Sequence, residues 1–394
     1  MTGLWIERRE FHPDAPQLHE LAGDVSPPAS NEVPCRSSAA TPGEWSDADR
    51  LWDRFLTGGT RAPAFRLVRE GSTLPRSTST RKASIGSSQV DDLVEPNHVL
   101  EHYAGGATVV LQALQFSDHA YAKLSTNLAL ALDQPVQVNA YLSPPAARGL
   151  DIHFDFHDVI VVQLAGRKRW HVWKRPPRSE RPLKRGPAIA QPRADELGPP
   201  LFDRVLEPGD CVVLPRGFPH AAETVHEASV HLTIGVMTVT WSRLLRSRID
   251  DIASGTALAD AATTNAPDRD AAVVALSAGL GAVDIRRAIA TDVWGRQPQT
   301  RLRPRVPPQF SSEDTLAVTP GPLLWVDDRP GRHKHTLELG DRRLHFPTEC
   351  APLLACVLHS TGPFRPDDLG GDLDAESRRV VLERLAVEGV VTRA

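Results

Sequence analysis

The sequence predicts a mainly β core with α-helical additions: an antiparallel sandwich or barrel, then a helical segment, then a small mixed unit. Three observations predict it. Between residues 135 and 241, short apolar stretches recur between Gly and Pro turns, as in sandwiches and barrels. After Trp241 the apolar spacing becomes that of helices. From about residue 320 the chain reads strand, helix, helix, strand, behind a Pro/Arg-rich linker.

Taken in order, residues 13–44 are rich in Pro, Ser and Ala and read as loop or disorder. "SDADRLWDRFL" (46–56) predicts a short helix with Ser46 as its N-cap. "STLPRSTSTRKASIGSSQ" (72–89) reads as a polar loop. "GATVVLQALQ" (106–115) predicts a strand. "SDHAYAKLSTNLALALD" (117–133) predicts a helix with Leu124, Leu128 and Leu132 on one face. "PVQVNAYLS" (135–143) alternates as a strand does. "DVIVVQLAG" and "KRWHVW" read as a strand, a turn at Ala165-Gly166 and a returning strand. Residues 176–200 form an inserted loop, and 203–241 predict three more strands, with turns at Pro208-Gly209 and Pro215-Gly217. "WSRLLRSRIDDIA" and "RDAAVVALSAGLGAVDIRRAIATDVW" are helical, and 296–310 is a linker. In the last segment, "HTLELGDRRLHF" is strand-like and helices follow near "TECAPLLACVLHS" and "DAESRRVVLERLAVEG", the second stopping at Gly389. With the closing "VVTRA" this order is winged-helix-like.

At 41% hydrophobic and 24% charged residues over 394 positions, the chain has the composition of a soluble globular protein with more than one domain. A formal net charge of −4 excludes a whole-protein basic field for nucleic acid. The acidic "RPDDLGGDLDAESRR" in the terminal unit argues against DNA binding there. No apolar run approaches the roughly 20 residues of a membrane span, and the start shows no secretory pattern. Four irregularly spaced cysteines, with no CxxC pair, suit a reducing cytoplasm.

The chemistry concentrates in "DIHFDFHDVIVVQLAGRKRWHVW" (151–173). His153 and Asp155 are two apart, so an extended backbone points both to one face, about 7 Å apart. A third ligand must come from another strand, and His220 in "LPRGFPHAAET" is placed to supply it. Two His and one carboxylate on one face of an octahedron leave three positions open, as in non-haem Fe(II) oxygenases. An HxD pair alone is a weak signal: His153 can cap a turn and Asp155 can pair with Arg167. His157 continues the alternation, but three ligands from one strand would be nearly collinear, so it reads as outer-sphere or surface. His231 reads as a core histidine and His226 as solvated.

"VNAYLSPPAARGLDIHFDFHDVIVVQLAGRKRWHVW" and "LEPGDCVVLPRGFPHAAETVHEASVHLTIGV" together resemble the cupin-type JmjC oxygenases, and among them the ribosomal oxygenases, which hydroxylate ribosomal proteins on arginine or histidine. The resemblance is strong over about residues 100–240. It implies a double-stranded β-helix barrel dependent on Fe(II), 2-oxoglutarate and O2. It places the metal triad on His153, Asp155 and His220, and the cation for the far carboxylate of 2-oxoglutarate on Lys168. It places Asn139, Tyr141 and Thr233 along the co-substrate pocket, where a purely structural role as sheet polar groups is the alternative. The implied organisation is a partly disordered N-terminal region (1–99), the catalytic barrel (100–240), a helical dimerisation segment (241–300), a linker (301–319) and a winged-helix-like domain (320–394).

The expected activity is hydroxylation of a protein or peptide side chain, with a ribosomal protein favoured, ribosome association possible in a homodimer, and no DNA or membrane partner. Two alternatives stand beside it: a tailoring hydroxylase acting on a ribosomally made peptide precursor or small metabolite, and a non-catalytic cupin used for binding. Residues 167–185 carry nine Lys/Arg against one Glu. This run is either a solvated face or a docking patch for an acidic peptide or RNA.

Overall fold

Two antiparallel sheets face one another in the part of the chain before residue 239, and a separate helical and α+β part follows. The computed structural model describes residues 37–39, 46–57, 59–175, 192, 194–253, 266–281, 285–298, 308–319, 324–326, 334–339, 342–360 and 362–394. They divide into two compact units: the described residues through Thr238 except Asp133–Pro135, and those three with the chain from Val239 on.

The first unit opens with β1 (Ser37–Ala39), α1 (Ala48–Thr57), β2 (Phe65–Arg69), β3 (Ser72–Thr73) and the hairpin of β4 (Thr80–Ile85) and β5 (Ser88–Val94). The α1 cap is Asp47, whose Oδ1 accepts from the Asp49 and Arg50 amides, rather than the expected Ser46. The hairpin falls where a polar loop was expected. Its residues are nearly all exposed or half-buried, so no apolar alternation marks it in the sequence. Then come α2 (Pro96–Ala104), β6 (Thr108–Leu111), α3 (His119–Leu132), β7 (Val136–Ser143), β8 (Asp158–Ala165), β9 (Lys168–Val172), α4 (Ala194–Leu197), β10 (Phe202–Leu206), β11 (Asp210–Leu214), β12 (His220–Thr224) and β13 (Ser229–Val236). The stretch after residue 202 thus holds four strands, not three. The additional break, at residues 225–228, contains neither Gly nor Pro.

The large sheet runs β1-β11-β8-β13-β7-β6-β2-β3, and the small one runs β10-β9-β12. Val159 and Val161 of β8, Val212 and Leu214 of β11, and Trp170, Val172, Phe202 and Leu206 of the small sheet form one buried cluster. Burying such side chains supplies about 1.5–3 kcal/mol each. Because β2 pairs with β6, the sheet starts ahead of residue 100, where the barrel was expected to begin.

β7 positions the cavity. Its alternation buries Val136, Val138, Ala140 and Leu142, while Gln137, Asn139 and Tyr141 stay half-buried on the other face. The apolar face is covered by neighbours such as α3, where Leu124 and Leu128 are buried. The polar face therefore looks into the barrel, the reverse of a solvent-facing sheet. Where β6 stops, amides finish the ladder: Asn139 Oδ1 accepts from Ala113 N (2.9 Å) and Gln115 Oε1 from Val138 N (3.0 Å).

The second unit holds α5 (Trp241–Ala253), α6 (Ala266–Gly281), α7 (Ile285–Trp294), β14 (Leu316–Val318), β15 (Leu324–Val326), β16 (Lys334–Glu338), β17 (Arg343–Pro347), α8 (Ala351–His359), α9 (Ala375–Val387) and β18 (Val391–Arg393). β15-β16-β17 form one sheet and β14 pairs with β18. Asp374 caps α9, accepting from Ser377 N at 2.7 Å. Most of residues 13–44, most of the basic insert and most of the linker lie outside the described residues. No helix among the described residues is long and apolar enough to cross a membrane.

Candidate metal centre

His153 and Asp155 do not lie on a strand. The segment before β8 is irregular, and a single antiparallel bridge joins His153 to His220, the first residue of β12. His153 N donates to His220 O (3.1 Å) and His220 N to His153 O (2.8 Å). Gly217 N donates to Asp155 O at 2.9 Å. These backbone bonds, not the pleat expected from the HxD spacing, bring the side chains together. One ligand atom from each of His153, Asp155 and His220 lies within 4.8 Å of the others, and His220 Nε2 is 3.6 Å from Asp155 Oδ2.

The chemistry of the donors fits a divalent cation such as Fe(II). His153 Nδ1 lies 2.7 Å from Asp151 O, and His220 Nδ1 lies 3.0 Å from Phe218 O. A carbonyl only accepts, so each Nδ1 carries the proton and each Nε2 lone pair is free to ligate. This backbone support is the usual outer-sphere arrangement of metal-binding histidines. Burial, and then the neighbouring His153, lower the His220 pKa to about 4, so its imidazole is neutral at pH 7, as a ligand must be.

The triad opens on a cavity of about 340 Å³. Lys168 lines it, only 2% exposed, its Nζ donating to Ser143 Oγ at 2.9 Å. Thr108 Oγ1 donates to the same hydroxyl at 3.0 Å. No acidic side chain pairs with Lys168 among the described residues, and desolvation lowers its pKa to about 7. The arrangement is a cation held ready for an anion. The turn that aims Lys168 needs glycine twice over: Gly166 has φ +59°, and a Cβ there would sit 1.8 Å from Ala228 O.

Asn139, Tyr141 and Thr233 all line the cavity. Thr233 is opposite Asn139 in the β13–β7 register, and Thr233 and Arg66 hydrogen-bond the Tyr141 hydroxyl. Desolvation raises the Tyr141 pKa, keeping the phenol protonated. Asn139 thus combines a structural bond with a place on the wall.

Three lining residues were not singled out as such. His231 is buried, but it is not the satisfied core histidine expected: its Nδ1 has no hydrogen-bond partner among the described residues. It stacks on Tyr141 (centroids 4.8 Å, planes 9° apart) and meets Trp170 edge-on. Burial and then Lys168 hold its pKa well below 6.5, so it is neutral. Trp170 Nε1 and Arg66 Nε, in the same wall, are also buried without a partner among the described residues. Alternation with Thr233 was the sequence signal for His231; Arg66, far upstream, carried none. His157 lines the cavity too, packed so closely on Gly235 that a Cβ there would lie 2.8 Å from its ring. His226 is exposed, as expected. Unpartnered N–H groups around an unpaired cation, beside three converged ligands, describe a site for a polar, anionic small molecule next to a metal.

Comparison with known proteins agrees. Residues 110–244 match the JmjC domain family. Human Ribosomal oxygenase 1 is 42% identical over 114 residues, which is 28% of this chain and 17% of that protein. The bifunctional lysine-specific demethylase and histidyl-hydroxylase NO66 of Dictyostelium discoideum is 33% identical over 153 residues, 38% of this chain and 29% of that protein. The match therefore spans less than a third of either relative. A structure of YcfD, a ribosomal oxygenase from Escherichia coli, in complex with cobalt and succinic acid aligns at TM-score 0.53 and 16% identity, covering 88% of this chain and 90% of that one. Another, with cobalt and 2-oxoglutarate, aligns at TM-score 0.50 and 18% identity with the same coverage. At that identity the likeness establishes a shared fold. Over residues 110–244 the chain thus matches the JmjC domain family, and through that stretch and the fold shared with YcfD it is similar to the ribosomal oxygenases.

Proposed function

We propose that the protein is an Fe(II)- and 2-oxoglutarate-dependent oxygenase that hydroxylates a side chain of a protein or peptide, with a ribosomal protein as the favoured substrate. One observation carries the reading. The His153, Asp155 and His220 donors converge on a cavity whose wall also holds Lys168, a buried cation with no acidic partner among the described residues. Fe(II) and 2-oxoglutarate, when bound, supply the oxidising chemistry with O2.

The chain's own residues do the rest. His153, Asp155 and His220 would hold the metal, the three-ligand set suited to Fe(II) oxygen chemistry. Lys168, oriented by Ser143, pairs with the far carboxylate. Tyr141 and Thr233, hydrogen-bonded to each other, leave one hydroxyl proton to offer from the wall, and Asn139 fixes the end of β7 beside them. His231 and Trp170 wall the site with neutral rings, and the free Trp170 Nε1–H is available to a bound anion. The names of the relatives, ribosomal oxygenase and histidyl-hydroxylase, support a protein substrate.

The second unit supports two further readings. α5 to α7 serve as a dimerisation segment, because α5 exposes Trp241, Leu245 and Ile249, four apart, and α6 exposes Val273 and Val274. Residues 320–394 form a winged-helix-like domain, on their strand, helix, helix, strand order.

The test uses Fe(II) and then 2-oxoglutarate without oxygen, watching for the visible charge-transfer band of chelated iron. A band that is lost in His153→Ala, and that needs at least tenfold more 2-oxoglutarate in Lys168→Ala, is the expected result. A folded, iron-loaded wild type with no band would overturn the reading.

A further inference from the structure

We infer that the open edge of β17 and the helix α9 beside it form a docking groove for an extended peptide of another protein, one that carries a cation, an apolar residue and a carboxylate at alternate positions. The groove lies within residues 343–384, and nothing in it depends on the oxygenase reading.

β17 is the last strand of the β15-β16-β17 sheet and pairs on one side only among the described residues. A cavity of about 760 Å³ runs along its open side. Leu344 and Phe346, which are buried, line it together with Arg343, His345 and Pro347, which are exposed. Residues from both faces of a strand share a cavity only along its edge. Leu339 N donates to Arg342 O at 2.9 Å, a hydrogen-bonded pair at the β16–β17 turn. Antiparallel alternation then turns the N–H and C=O of Arg343 and His345 away from β16 and into the groove. Pro347 has no N–H and ends the row. Such an edge is a template for an added strand.

The other wall is α9, which shares a buried cluster with Leu344 and Phe346 through Val381 and Leu385. Glu376, Val380 and Arg384 are four apart, form one stripe of the helix and line the cavity. Val380 is 54% exposed. α9 runs antiparallel to β17: Arg342 Nε donates to Glu388 Oε2 at 2.7 Å at one end, and at the other a Cβ on Gly371 would lie 3.2 Å from Pro352 Cβ. Arg343 and Arg384 therefore share one end of the groove, and Glu349 and Glu376 the other.

The spacing specifies the peptide. From Glu376 to Arg384 is about 12 Å of helix, and four residues of strand span about 13 Å. In a strand antiparallel to β17, residues i, i+2 and i+4 meet Glu376, Val380 and Arg384 in turn, so the cation comes first and the carboxylate last. The two residues between them pair with His345 and Arg343. The ladder supplies most of the affinity. The charges are exposed, and Arg384 also pairs with Glu388 at 2.7 Å, so they set direction. A second copy of this chain fits less well. Pairing two β17 edges would bring both α9 helices over one seam at a strand spacing of about 4.8 Å, whereas packed helices need about 8–10 Å.

The experiment adds capped Lys-Thr-Val-Thr-Glu to the full chain and reads hydrogen–deuterium exchange along β17, with calorimetry for affinity. Exchange at the Arg343 and His345 amides should slow. Binding should be about threefold tighter than that of the peptide with Lys and Glu exchanged, and about tenfold or more tighter than that of a peptide N-methylated at both Thr residues. Val380→Asp, at an exposed position, should keep the fold and weaken binding about tenfold or more. Glu376→Lys should favour Glu-Thr-Val-Thr-Glu over the original. Unchanged exchange at β17 overturns the inference, as does equal binding of the N-methylated peptide, of both charge orders, or by Val380→Asp. So does an oligomer that dissociates in Val380→Asp as the β17 amides lose protection, because a second copy would then fill the groove.

Discussion

Lys168 shows what a single residue contributes. A lysine with its ammonium buried and no acidic partner among the described residues is costly, and its pKa falls from 10.5 to about 7. Its neighbours are the Ser143 hydroxyl and the neutral His231 ring, neither of which titrates near 7. Between pH 7 and 10.5 the unfolded chain holds a proton that the folded chain has lost, so the ligand-free protein gains stability with rising pH in that window. Co-substrate binding runs the other way, because the carboxylate needs the ammonium form. Apparent affinity for 2-oxoglutarate should be flat below pH 7 and weaken roughly tenfold per pH unit above it. Lys168→Arg, always charged, should remove the slope. A titration that stays flat to pH 9 in the wild type would show that Lys168 does not change charge when the anion binds.

At the scale of elements, the site depends on one turn and one bridge. The β8–β9 turn joins the two sheets and sets the register that puts Lys168 opposite Leu206 on one side and Thr224 on the other. Gly166 holds that turn in a conformation costly for other residues, with Ala228 O against the missing Cβ. Gly166→Ala should destabilise the protein by about 2 kcal/mol or more, measured by urea unfolding, and should raise the 2-oxoglutarate requirement because Lys168 moves with the turn. A neutral result in both would mean that the turn does not position the lysine. The His153–His220 bridge is the second device. Two backbone hydrogen bonds align the first and third ligands whatever the side chains do, so His153→Ala should remove metal binding while leaving the fold near wild-type stability.

For the whole molecule, the partition into two units matters most. Leu244 is buried within the helical part, and Arg243 ties α5 to α7 through a 2.8 Å bond to Asp292. A neighbouring stripe of α5, at Trp241, Leu245 and Ile249, stays exposed. An exposed apolar stripe beside a packed position on the same helix calls for a partner. The protein should be a dimer by light scattering at micromolar concentration. The pair Leu245→Glu and Ile249→Glu should give a monomer with an unchanged iron–2-oxoglutarate band. A wild-type monomer would sink the dimer.

The sequence by itself determined most strand and helix segments between residues 106 and 241, the glycine turn before Lys168, and the residue types able to ligate a metal, but not β2 or α2 upstream of them. Those are local properties: alternation, turn chemistry and donor identity are written in neighbouring residues. It could not show that the β4–β5 hairpin exists, because strands without an apolar face carry no period, nor that β12 and β13 are separate, because their turn lacks Gly and Pro. Tertiary structure alone decided that the HxD segment is irregular and held by backbone bonds to His220, that the polar face of β7 looks inward, and that Arg66 belongs to the site. Alternation says that a strand has two faces but not which one the second sheet will cover. That choice comes from closing the barrel over pairings such as β2 with β6 and β9 with β12, between segments tens of residues apart, and no local pattern records it.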